Sequence, residues 1–95
     1  MLMNDMLMND IKLALGLRNT ERFDNMIITF IEAGKNDLLR AGIVQDKIVE
    51  TDALIYSALM SYVLSMMDTY EYRELSANCY ALQKDQLRHY VEYIN

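Results

Sequence analysis

The chain has 95 residues, enough for one domain with a modest core, and its single cysteine, Cys79, excludes an intrachain disulfide. A formal net charge of −5, with nine basic residues scattered singly, argues against a protein that clamps nucleic-acid phosphates. Proline is absent, glycine occurs only three times and helix formers dominate, so the composition predicts an all-α fold.

The opening reads MLMND twice, as Met1–Asp5 and again as Met6–Asp10. A period of five advances about 140° around an α-helix, so the two copies cannot share a face. No basic n-region or small-residue cleavage site accompanies these apolar residues, so they do not read as a signal peptide. A first helix is expected from about Asn4 to Leu15. Leu7, Ile11, Ala14 and Leu15 fall on one side of it, and Gly16 sits where a C-terminal glycine belongs.

A second helix is expected after Asn19-Thr20, either of which can cap it, and should end near Ala41, before Gly42. Phe23, Ile27, Phe30, Ile31, Gly34, Leu38 and Ala41 share its apolar face. Gly34 lies in the middle of that face. A mid-helix glycine costs about 1 kcal/mol against alanine, so close approach of another helix is expected there. Gly42 to Glu50 reads as a connector, with no second strand to pair with it.

Thr51 is the expected N-cap of a third helix running to Met67, with Asp52 in its first turn. This helix is apolar almost all round, which calls for burial on several sides or a covering partner. It is too short to span a bilayer, which takes roughly 20 residues, and Ser57, Ser61 and Ser65 interrupt it. Those three serines form a small-residue row suited to close helix packing. A soluble protein of a reducing compartment is expected. The fourth helix is expected from about Tyr72 to Tyr93. Leu75, Cys79, Leu82, Tyr90 and Tyr93 define one face; Tyr80, Leu87, Val91 and Ile94 define an adjoining one. Two such apolar-rich helices in a short chain point to surface reserved for other subunits.

No catalytic, cofactor-binding or metal-binding constellation is legible. One His and one Cys cannot close a zinc site, and His89 with Glu92 matches neither the zincin nor the di-iron pattern. There is no phosphate-binding glycine loop and no nucleophile elbow. Cys79 has no base beside it in sequence and is expected in the core. Glu71 and Glu74 read as a solvated face. Seven tyrosines are the unusual aromatic feature. Five of them, Tyr70, Tyr72, Tyr80, Tyr90 and Tyr93, lie in the last third and are candidates for an oligomer or partner interface. Core tyrosines with surface hydroxyls are the competing reading.

The order of segments then carries a resemblance. MNDIKLALGL (Met8 to Leu17), FDNMIITFIEAGKNDLLRAGI (Phe23 to Ile43) and TDALIYSALMSYV (Thr51 to Val63), followed by a closing helix, resemble the small head–tail connector proteins of tailed phages and prophages. These are also called head-completion or DNA-packaging adaptor proteins. The resemblance covers nearly the whole chain and rests on apolar patterns rather than on a catalytic signature. It implies a non-enzymatic bundle of about four helices that forms a ring under the portal protein, following the portal's twelve-fold symmetry. It also implies a partner in the next connector or tail-completion protein, and a lumen through which DNA passes without specific binding. The expected location is the virion, at the head–tail interface, and the host cytoplasm during assembly. No membrane or cofactor is implied. Family members look as if they begin at the equivalent of Met6. Residues 1–5 are therefore read as an extra copy, and residues 6–95 as one connector domain. A small acidic regulatory module that binds another protein, and a DNA-binding subunit of the small-terminase kind, remain as alternatives.

Overall fold

The computed structural model describes residues 3–94, with side chains from Met6 onward. It holds α1 (Met3–Leu15), α2 (Asp24–Arg40), a 3-10 turn (Gln45–Lys47), α3 (Ala53–Met67), α4 (Tyr70–Arg88) and α5 (Val91–Ile94). No strand occurs among the described residues. Of the five residues read as an extra copy, Met1 and Leu2 lie outside the described residues. Met3 to Asp5 form the first turn of α1.

Two helices stop by the same device. Gly16 and Gly42 take φ of +72° and +101°, a region a side chain disfavours. The amide of Leu17 then bonds to the carbonyl of Lys12, and that of Ile43 to Leu38, at 2.8 and 3.1 Å. Gly16 and Gly42 donate to Leu13 and Leu39, completing a Schellman motif at each end. The apolar residue after each glycine folds back toward the bundle, and Ile43 is buried.

The start of α2 corrects the expectation. Thr20 does not cap a helix. Its hydroxyl accepts the Arg22 amide at 3.1 Å, closing a local turn, and α2 begins at Asp24 with no side-chain cap. Such local bonding is what a threonine offers in competition with helix. Asp24 instead pairs with Lys12 at 2.9 Å, tying α2 to α1. At α3 the cap is Asp52 rather than Thr51. The Asp52 carboxylate accepts the amides of Leu54 and Ile55 at 2.9 and 3.2 Å, satisfying two orphan donors.

The core gathers on α3. Ile55, Ala58, Leu59 and Val63 meet Leu7 and Ile11 of α1 and Ile27, Ile31 and Leu38 of α2. All nine are buried. The expected fourth helix is two helices. α4 ends at Arg88, and tight bonds from His89 to Gln86 and from Tyr90 to Leu87 turn the chain. The break lets Tyr93 of α5 return to the bundle, where its carbonyl accepts the Val44 amide at 2.7 Å. α4 presents Tyr80 and Leu87 to the core. The line Leu75–Cys79–Leu82, expected on a packed face, is exposed. Cys79 is therefore a surface residue and not a core one.

Candidate functional site

Three tyrosine–aspartate hydrogen bonds knit the helices together. Tyr56 of α3 donates to Asp10 of α1. Tyr80 of α4 donates to Asp37 of α2 at 2.5 Å, and Lys84 reaches the same carboxylate oxygen at 3.1 Å. Tyr93 of α5 donates to Asp52, the α3 cap, at 2.7 Å. Burial, then the Asp10 carboxylate, pushes the Tyr56 phenol up to about 12. The Asp52 hydrogen bond, then burial, does the same to Tyr93. Burial and Asp37 raise Tyr80 as well. At Asp37 burial raises the carboxyl. The bonds from Tyr80 and Lys84, with the charges of Lys84 and Arg40, outweigh it and hold the group below its ordinary 3.8. These bonds position helices, and no nucleophile–base pair is built from them.

The tyrosines singled out from the sequence divide into two sets. Tyr80 and Tyr93 are 7% and 6% exposed, so they belong to the subunit's own core and not to its surface. The Tyr80 ring meets Tyr62 edge-on, centroids 5.1 Å apart. Tyr70, at 85% exposed, and Tyr72 and Tyr90 stand on the surface. Gly34 is buried. A Cβ built there would lie 3.1 Å from both Leu59 Cδ2 and Tyr62 Cδ1, so α2 and α3 approach closely at this point. Of the serine row, Ser57 accepts from Gln83 Nε2 of α4 at 2.8 Å, and Ser65 donates to the Tyr62 carbonyl at 2.5 Å. Ser61 is half-buried between them. The row lies toward α4.

His89 is a well-exposed cap of α4, with Nδ1 2.7 Å from the Asp85 carbonyl. Among the described residues no three His, Cys, Asp or Glu side chains gather into a metal-binding group. No helix of these residues is long and apolar enough to cross a membrane.

Two features escaped the sequence reading. The aspartates that hold the tyrosines lie 41 to 46 positions away, a separation that leaves no local spacing to recognise. An open apolar groove between the ends of α1, α2 and α3 is lined by Leu17, Phe23, Met26, Phe30, Met66 and Met67 among others. Phe23 and Phe30 share the apolar face expected of α2. Nothing in their spacing shows that the groove stays open.

The described surface thus carries many exposed apolar side chains and an open apolar groove. Neither the curated proteins nor the solved structures gave a match. The family model for phage connector proteins matches residues 7–79, which takes in most of the chain from the second MLMND copy to the middle of α4. On that match, the chain belongs to the phage connector protein family and is a structural head–tail connector.

Proposed function

We propose that this chain is the repeating subunit of a ring that sits beneath the portal at the phage head–tail junction. There it extends the DNA channel and offers a platform to the next connector or tail-completion protein. The family match over residues 7–79 carries the reading. Two physical features support it. Leu75, Leu82, Tyr70 and Tyr72 of α4 are exposed, which suits a chain that finishes its burial against other copies. The net charge of −5 suits a channel wall along which a polyanion slides without adhering. In this reading the protein is not an enzyme. It needs no cofactor and resides in the virion after assembly in the host cytoplasm. Residues 1–5 are dispensable to it.

Native mass spectrometry with negative-stain microscopy, run over a range of concentrations with and without the cognate portal, tests the proposal. A closed ring, alone or on the portal, is the expected result. A strict monomer that ignores the portal overturns it.

A further inference from the structure

Tyr93 meets the connection between α2 and α3 at both of its ends. Its carbonyl accepts the Val44 amide at 2.7 Å, where the 3-10 turn begins. Its hydroxyl donates to Asp52 Oδ2 at 2.7 Å, where the connection ends and α3 is capped. Between these points the amides of Lys47, Ile48, Val49 and Asp52 bond to carbonyls of the connection itself. Later in the connection, Glu50 reaches Lys35 of α2 at 3.0 Å, and Ile48 packs partly buried against the core. The first turn, Val44 to Lys47, is thus the part tied down through Tyr93. The helix that carries Tyr93 is slight. α5 has four residues, and Tyr93 is its one buried side chain; Val91 and Ile94 are exposed. Isolated helices shorter than about 12 residues are marginal in water, so α5 keeps its shape by being docked. It follows a break, where His89 and Tyr90 bond back to Gln86 and Leu87.

We infer that α5 is a strap: docked through Tyr93 it fixes the α2–α3 connection, and its undocking frees Val44 to Lys47 while the helix bundle stays packed. The two events separate because different residues hold each part. Ile55, Leu59 and Val63 of α3 are buried among Leu7 and Ile11 of α1 and Ile27, Ile31 and Leu38 of α2. α5 adds one side chain to that core. Proteins open in such units, and the least buried elements open at the lowest free energy. The strap couples two segments far apart in the chain, since the Tyr93 hydroxyl reaches across 41 positions to Asp52. A molecule that grips undocked α5 favours the open connection. One that grips the open connection favours release of α5 by the same factor. This holds for the lone subunit, with or without the ring.

Native-state hydrogen exchange, read residue by residue by NMR on the full chain, tests the strap. In the unaltered chain the Val44 amide is expected to exchange at least about a hundredfold faster than the amides of Leu59 and Val63 at the centre of α3. Two conservative variants then separate the strap from the core. Tyr93→Phe keeps the ring and removes the hydroxyl, and should speed exchange at Val44 about fivefold, although the lost bond is to Asp52 and not to Val44. Ile31→Val weakens the core, and should speed the α3 amides about fivefold. It should leave Val44 within about twofold, because the opened strap still contains a packed bundle. Val44 exchange that is as slow as that of Leu59, or that rises with Ile31→Val as the α3 amides do, means that the connection opens only when the whole chain unfolds, and overturns the strap. Val44 exchange that ignores Tyr93→Phe means that the connection frays without α5, and overturns it too.

Discussion

α3 and α4 lie side by side, yet they are held by different physics. α3 is apolar on nearly every side and buries Ile55, Ala58, Leu59 and Val63 among residues of α1 and α2. Burying a large aliphatic side chain contributes about 1.5–3 kcal/mol, so the position of α3 is set by volume and contact area. α4 is longer but buries only Tyr80 and Leu87. Its rotation is set by directional bonds: Tyr80 and Lys84 to Asp37, and Gln83 to Ser57. A helix oriented by hydrogen bonds is free to turn apolar residues outward, and α4 does so with Leu75 and Leu82, 59% and 67% exposed. The fold thereby separates the helix that gathers its core from the helix that turns apolar side chains to solvent.

The contrast makes predictions that differ in size. Leu59→Ala empties the centre of the core and is expected to cost about 2–5 kcal/mol in urea unfolding. A loss below about 1 kcal/mol would show that α3 is not the volume-determined element. Asp52→Ala comes next. It removes the α3 cap and strands the Tyr93 hydroxyl, with an expected cost of about 2 kcal/mol. The same kind of bond sets an alkaline limit. The Tyr56 and Tyr93 phenols are raised from 10 to about 12 in the fold. The stability they add is complete below pH 10 and is lost as the pH climbs through about 12. Unfolding free energies taken at intervals from pH 9 upward should fall across that window, and the double variant Tyr56→Phe with Tyr93→Phe should flatten the fall.

Tyr80→Phe isolates the directional anchoring of α4. It is expected to cost about 1 kcal/mol, because Lys84 still satisfies Asp37. The smallest effect sharpens the comparison most. Leu75→Ser with Leu82→Ser should change the stability of the dilute subunit by less than about 0.5 kcal/mol, since both side chains already face solvent. A large loss in the monomer would mean that this line packs inside the subunit after all.

Much of the architecture could be read before any coordinates. Composition without proline declared helices. Gly16 and Gly42 marked two helix ends because their backbone conformations disfavour a side chain. The apolar spacing of Ile27, Ile31 and Leu38 identified the buried face of α2. Local information failed where two local choices compete. Thr51 and Asp52 are both good caps, and Asp52 is the one that binds the α3 amides and Tyr93 together. Thr20 closed a turn in place of a cap.

What the sequence by itself determined is therefore the number, type and approximate extent of the main helices, and the family pattern that runs through them. Short-range periodicity and backbone preference suffice for that. Which apolar residues of α4 face inward was decided only by the tertiary structure. Tyr80 and Leu75 are equally plausible core residues on a helical wheel. The choice between them depends on Asp37, 43 positions before Tyr80, and no spacing within a helix carries that information. The break at His89 and Tyr90 has the same origin, because Tyr93 is buried only where α5 folds back onto Asp52 and Val44.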